Sequence, residues 1–219
     1  DYAKEMVTGF IRLNGMTIGA VANRSKVYDA EGNAEDFDTV LTVDGCKKAA
    51  DFINFCDAFS IPVLTFVNVK GYEASACSEK TIARAAAGLT YAFANATVPK
   101  VTVILGQALG TAYLTMNSKS IGADVVYAWP SASVGMMEPN EAVKIMYSDE
   151  IAKAEDGKNL INDKAESYKL LQSSALSAAK RGYVDDIIAA GETRARVIAA
   201  FEMLFTKRED RPAKKHGTI

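Results

Sequence analysis

Histidine is almost missing from this 219-residue sequence: His216 stands alone in the lysine-rich tail. A Ser-His-Asp or Cys-His nucleophile needs an imidazole set in a cleft, and a histidine metal cluster needs more than one. Neither chemistry is expected, and no metal site is. Cysteine is scarce too, and Cys46, Cys56 and Cys77 are odd in number and lack C-x-x-C spacing. That argues against a disulfide framework or a zinc ribbon, and Cys46 and Cys56 are expected to pack as small hydrophobes on a helix. No apolar run reaches the ~18 residues that cross a bilayer, and no charged-then-apolar signal segment opens the chain. A cytoplasmic protein is the expectation. Neither sign of charge dominates, with 25 Lys+Arg against 27 Asp+Glu and a formal net charge of -2. The basic residues are dispersed except in the tail "KREDRPAKKH", so nucleic acid is not an expected partner. The first residue is Asp1, not Met, as in a processed protein or part of a longer polypeptide.

What is present is an ordinary globular composition, 49% hydrophobic and 24% charged, able to bury one core. "GFIRLNGMTIGAVAN" alternates around Asn14-Gly15 and predicts a hairpin with strands near Gly9–Leu13 and Met16–Ala22. "RSKVYDAEGNAEDFD" has no period and reads as an exposed loop. Ala49, Phe52, Ile53, Cys56 and Phe59 recur at helical spacing, predicting a helix over Gly45–Phe59. "VLTFVNV" (Val63–Val69) reads as a strand covered on both faces, ending in a Lys70-Gly71-Tyr72 turn. Ile82, Ala85, Ala86, Leu89, Phe93 and Ala96 predict a further helix, followed by the strands "KVTVIL" and "GADVVYAWP". Pro139 suits a helix's first turn. Tyr168, Leu171, Ala175 and Ala178 mark one late helical face, and Val197, Ile198, Phe201 and Leu204 another. Alternating strands and helices argue an α/β architecture, with ligands where strands end and helices begin. No internal repeat or linker divides the chain.

Between two of these elements lies "LGQALGTAYLTMNSK", whose Gly110, Thr111 and Ala112 stand at a strand-to-helix turn. Small residues there either let a ligand approach backbone N–H groups that lack an intrahelical partner, or let two backbones pack closely. The local pattern leaves both readings open.

Four longer stretches decide the matter differently. "GFIRLNGMTIGAVAN", "AADFINFCDAFSIPVLTFVNVKGY", "LTYAFANATVPKVTVILGQALGTAYLTMNSKSIGADVVYAWPSA" and "GYVDDIIAAGETRARVIAAFEML" with "KKHG" resemble, in order and spacing, the carboxyltransferase subunits of biotin-dependent acyl-CoA carboxylases and decarboxylases. The resemblance implies a crotonase-like (ClpP/crotonase) fold of β-β-α superhelix type with C-terminal helices. It implies that residues 1–219 form one domain, the C-terminal carboxyltransferase half that receives biotin, while the N-terminal acyl-CoA half is absent from this chain. The implied cofactor is biotin on a carrier protein, with acyl-CoA as substrate. The implied partners are a biotin carboxyl carrier protein, a biotin carboxylase or membrane decarboxylase subunit, and further copies of the chain. The helix face around Ala85, Leu89 and Phe93 is one candidate for such a contact and otherwise ordinary core.

By the same resemblance, backbone N–H groups at Gly71-Tyr72 and Gly110-Thr111-Ala112 hold an oxygen that becomes negatively charged, here the ureido oxygen of biotin. As carboxybiotin gives up CO2, the ureido group takes the α-proton of the acyl-CoA, and the enolate captures the CO2. Cofactor and substrate supply acid and base, so a site without histidine suffices. Leu114, where the family varies with the acyl group, and Trp129, at a pocket wall or subunit contact, complete the implied biotin-side set with Gly110, Thr111 and Ala112. Leu114 also reads as a core leucine. The family commonly has Gly-Gly-Ala where this chain has Gly110-Thr111-Ala112, and a Gly/Ala-rich segment where it has Glu138-Pro139-Asn140-Glu141. Those two carboxylates are either helix-start residues in solvent or part of an altered site. In the second case a crotonase-type hydratase or isomerase becomes the alternative, with Glu138 and Glu141 as acid and base. A non-catalytic carrier-docking domain is another. A Clp-type serine peptidase shares "Gly-Gln-Ala" at Gly106–Ala108, but Gly110 stands where its serine belongs. Lys119 reads as a solvated or helix-terminal charge.

Overall fold

In the computed structural model, residues 2–28, 31–154 and 156–211 are described, so His216 and the end of the basic tail lie outside them. Strands β1 (Met6–Leu13) and β2 (Met16–Asn23) form the expected hairpin, paired from Leu13↔Met16 to Met6↔Asn23. Asn14 and Gly15 take φ of 47° and 82°. A two-residue turn with both φ positive follows the right-handed twist of the strands, and asparagine and glycine tolerate it best. The polar stretch after the hairpin is not all loop, because β3 (Lys26–Tyr28) and β4 (Ala34–Asp36) pair as an antiparallel ribbon. Its exposed residues carry no apolar alternation, which hid it from a pattern reading.

After β5 (Val40–Leu41), helix α1 (Val43–Ala58) opens on Thr42, whose hydroxyl accepts the Gly45 N–H. This cap satisfies one of the amides a helix start leaves free. Strand β6 covers Val63–Val69, as expected, but Gly71–Tyr72 is not a simple turn. It is a short strand, β7, parallel to β5. Helix α2 (Ile82–Asn95) then leads to β8 (Lys100–Leu109), which runs past Leu105, where the sequence pattern ends it. The extension is stabilised from outside: Ser133–Gly135 forms β10 and pairs with Gln107–Leu109.

Helix α3 (Gly110–Thr115) follows β8 directly, and β9 (Val125–Ala128) pairs with the first half of β8. The remaining elements are α4 (Pro139–Met146), α5 (Ser148–Lys153), α6 (Gly157–Tyr168), α7 (Ala175–Lys180), β11 (Asp186–Ile187) and α8 (Thr193–Met203). Pro139 holds the first turn of α4, where its missing N–H costs nothing. Among the described residues seven strands form the main sheet, in the order β1-β2-β6-β8-β9-β11 with β10 beside the end of β8. Every pairing in that sheet except β1–β2 is parallel.

Both faces of the sheet are covered. On one, Cys46, Ile53 and Cys56 of α1 and Leu89 and Phe93 of α2 pack on Val63, Val67 and Val69. On the other, Val197, Ala200 and Phe201 of α8 pack on Leu64, Val101 and Val103. The α2 face at Ala85, Leu89 and Phe93 is therefore internal core, not a subunit contact. Exposing a leucine and a phenylalanine from it costs about 1.5–3 kcal/mol each. The face expected over Tyr168–Ala178 is also broken. Lys169–Ser173 form a π-turn that leaves Leu171 70% exposed while Ala175 and Ala178 are buried. A wider turn rotates the residues after it, so a 3.6-residue period no longer describes one face.

Candidate active site

The end of β8 and the start of α3 are shaped by one glycine. Gly110 takes φ +61°, and a Cβ there would lie 3.1 Å from the Met136 carbonyl oxygen. Any other residue would be strained in conformation and crowded against backbone. Thr111, next in line, has no positive φ and is exposed, and Ala112 is buried behind it. The N–H groups of these first helical residues have no intrahelical acceptor. At the other end of α3, buried Thr102 donates to the Asn117 carbonyl (2.7 Å) and accepts from the Asn117 side-chain amide (2.9 Å). These bonds pin the far end of the helix.

Strand β7 lies against it. The Tyr72 hydroxyl is 2.8 Å from Thr115 Oγ1, which donates to the Thr111 carbonyl at 3.0 Å. With the threonine proton committed, Tyr72 is the donor of the pair. Gly71, Tyr72, Gly110, Thr111 and Ala112 are thus brought together from separate parts of the sequence. Leu114, on the same helix, is 38% exposed, so the core reading of that residue does not hold. Trp129 is elsewhere: its Nε1 donates to Thr193 Oγ1 at 3.0 Å, and its ring packs against the core beneath α8. Tyr113 points inward, and burial pushes its phenol up to about 12.

Beside this pair of segments opens a cleft of about 670 Å³, lined by Asn68, Gly106, Gln107, Ser133, Glu138 and Lys169 among others. None of the five backbone candidates lines it directly; β8 connects them, through Gln107, Ala108 and Leu109. Glu138 stands at the N-cap position of α4 on the cleft wall, makes no capping hydrogen bond with its side chain, and accepts from Gln107 Nε2 at 2.9 Å. Glu141 faces away from this use, paired with Lys144 at 2.7 Å. Both carboxylates are exposed at the start of α4. Lys70 pairs with Asp38 at 2.8 Å, whose hydrogen bond holds the ammonium above its ordinary range. Lys119 pairs with Asp185 at 2.7 Å. Among the described residues no group of three or more His, Cys, Asp or Glu is placed to hold a metal ion.

The residue that sequence reasoning passed over is Asn68. An asparagine inside the run "VLTFVNV" carries an amide donor and an acceptor that cannot be left unpaired in a strand covered on both faces, and that was the available signal.

The carboxyl transferase domain family matches this chain over residues 1–219. The chain is 44% identical over 220 residues to the propionyl-CoA carboxylase carboxyltransferase subunit of Haloferax mediterranei, covering 100% of itself and 41% of that protein. It is 42% identical over 219 residues to the methylmalonyl-CoA decarboxylase subunit alpha of Propionigenium modestum, again covering 100% of itself and 41% of the relative. Among solved structures it superimposes on transcarboxylase 12S, described as a hexamer assembly with methylmalonyl-coenzyme A and methylmalonic acid bound. The TM-score is 0.89 at 40% identity, covering 99% of this chain and 40% of that one. The fold is accordingly the crotonase-like α/β fold that the resemblance implied. The chain spans less than half the length of the relatives it matches. With its whole length inside the family match, the chain belongs to the carboxyl transferase domain family.

Proposed function

We propose that residues 1–219 are the biotin-receiving half of a carboxyltransferase that moves a carboxyl group between biotin on a carrier protein and a short-chain acyl-CoA of the propionyl or methylmalonyl type. The relatives' names support that substrate class. The observation that carries the reading is the Tyr72–Thr115 hydrogen bond, because it holds the Gly71-Tyr72 strand against the helix that starts at Gly110. In this reading two sets of backbone donors from distant sequence serve a common ligand, the arrangement that charge stabilisation requires. The residues fit a neutral cyclic urea, since the region offers amide and hydroxyl groups and no buried charge.

Biotin supplies the transferable carboxyl group and the basic atom. This chain's part is to bind, orient and stabilise. Backbone N–H groups at Thr111 and Ala112, and at Gly71-Tyr72, would hold the ureido oxygen of biotin and stabilise the negative charge it takes up; each such donor is worth about 2.7–4 kcal/mol when preorganised. Pinning by Thr102, Asn117 and Tyr72 provides that preorganisation, so no reorganisation is needed during the reaction. Leu114, exposed on α3, is positioned to meet the acyl group, and Trp129 acts at a distance, fixing α8 against the sheet. The acyl-CoA is held by the other half of the enzyme, and the biotin carrier, a biotin carboxylase or membrane decarboxylase subunit, and further copies of the chain are the partners.

The test is exchange of a labelled carboxyl group between methylmalonyl-CoA and biocytin by the assembled enzyme. Exchange that requires both substrates is expected. Hydration of an enoyl-CoA without biotin, or binding of biotinylated carrier without exchange, contradicts the reading.

A further inference from the structure

A line of carboxamides crosses the sheet towards the cleft. The Asn23 side chain, 8% exposed, accepts the Asn68 N–H at 3.0 Å through Oδ1 and donates to the Asn68 carbonyl through Nδ2. It takes over the strand pairing just where β2 and β6 stop at Ala22↔Phe66. Asn68 repeats the device on β8. That strand bulges opposite it, with register shifting between Val67↔Ile104 and Val69↔Ala108. The Asn68 Oδ1 atom accepts the Gln107 N–H at 2.9 Å. Gly106 makes room, since a Cβ there would lie 2.6 Å from Asn68 Oδ1.

These bonds fix which way each amide points. With Oδ1 committed to Gln107, what Asn68 offers the cleft is its Nδ2 donor, which has no partner among the described residues. With Nε2 committed to Glu138 Oε1, what Gln107 offers is its Oε1 acceptor, and Glu138 adds Oε2. Donor and acceptors on one wall form the complement of a secondary amide, which accepts at its carbonyl and donates at its N–H.

We propose that Asn68, Gln107 and Glu138 form a subsite for a secondary amide group of the ligand, next to the Gly110–Ala112 amides and distinct from them. The proposal builds on the function proposed above. In that setting two sources exist, the biotinyl-lysine amide of the carrier and the pantetheine amides of the acyl-CoA. Gln107 and Gly110 are separated along the strand by roughly 10 Å at about 3.3 Å per residue. A ligand filling both sites carries its amide about that far from its ureido oxygen.

Asn68→Asp separates recognition from scaffolding, because an aspartate still accepts the Gln107 N–H but offers the cleft an acceptor in place of a donor. Binding of biocytin, biotin and pantetheine to the assembled enzyme is measured by calorimetry, alongside thermal melting and exchange kinetics. The expected result is an unchanged melt with biocytin binding weakened about tenfold or more, while biotin, which lacks the lysine amide, is weakened less. Pantetheine weakened in place of biocytin also supports the subsite and assigns it to the acyl-CoA. If wild type and Asn68→Asp bind every probe alike, or wild type binds none of them, the subsite is refuted. Wild-type exchange of biocytin with no Asn68→Asp effect refutes the subsite alone; absent exchange with Asn68-dependent pantetheine binding supports the subsite and refutes the carboxyltransferase reading.

Discussion

Lys100 begins β8, at the end of the strand remote from Gly110, and is fully buried with its ammonium donating to the Phe93 carbonyl at 2.7 Å. Burial, assisted by the nearby Lys207 charge, lowers it from 10.5 to about 8. At neutral pH the amine is therefore charged in both states, and the folded state bears the cost of burying it. The shift corresponds to about 3 kcal/mol at 1.36 kcal/mol per pH unit. Lys100→Met removes that cost and leaves the Phe93 carbonyl without its donor, a loss of about 1 kcal/mol, so a net gain of roughly 2 kcal/mol is expected near neutrality. Between about pH 8 and 10.5 the unfolded chain holds a proton that the folded chain has released, so wild-type stability contributed by this residue rises with pH through that window. By about pH 9.5 the wild type regains roughly 2 kcal/mol, and the advantage of the variant vanishes.

Urea unfolding of both proteins at neutral and alkaline pH reads this directly. The difference between them is the informative quantity, because Cys46, raised from 9.0 to about 12 by burial, weakens both proteins alike above its unfolded value. A variant less stable than wild type at neutral pH, or a gap that does not change with pH, refutes the reasoning.

Two further substitutions probe the scaffold. Asp57→Ala removes the carboxylate that accepts from Thr97 N (2.7 Å), Thr97 Oγ1 (3.1 Å) and Val98 N (3.3 Å), tying the end of α1 to the entry of β8. A loss of about 2 kcal/mol in urea unfolding is expected, and a loss under about 0.5 kcal/mol would show that solvent satisfies those amides as well. Gly106→Ala drives a Cβ into Asn68 Oδ1 and should cost about 1–3 kcal/mol, with much of it recovered in the Gly106→Ala/Asn68→Ala double variant. Additive losses in that cycle contradict the proposed clash.

The elements best readable in the sequence are those whose information is local. The β1–β2 hairpin rests on Asn14-Gly15, β6 on a compact run of β-branched residues, and α1 on a stripe of apolar positions, and each lies within a residue or a few of its expected bounds. What escaped depends on partners far along the chain. Gly71–Tyr72 became a strand because Val40–Leu41 pairs with it, and β8 outran its apolar segment because Ser133–Gly135 extends the ladder. Leu171 lost its place in the core through the π-turn, whose extra residue no periodicity announces. The site divides the same way. The candidate backbone segments were named from motif resemblance, and the fold sets Gly71-Tyr72 beside α3, while Trp129 was drawn to α8 and the Asn23–Asn68–Gln107 line arose only when three strands met.

In the proposed function, backbone amides at the start of α3, not the Thr111 hydroxyl, stabilise charge during carboxyl transfer. Ala112→Pro deletes one such N–H, while Thr111→Gly keeps every N–H and removes the hydroxyl. Labelled carboxyl exchange between methylmalonyl-CoA and biocytin is measured for both in the assembled enzyme, with melting curves and carrier binding to confirm folding. Near-normal exchange is expected for Thr111→Gly and a fall of roughly 10²–10³ for Ala112→Pro. A folded Ala112→Pro enzyme with normal exchange, or a folded but inactive Thr111→Gly enzyme, would contradict it.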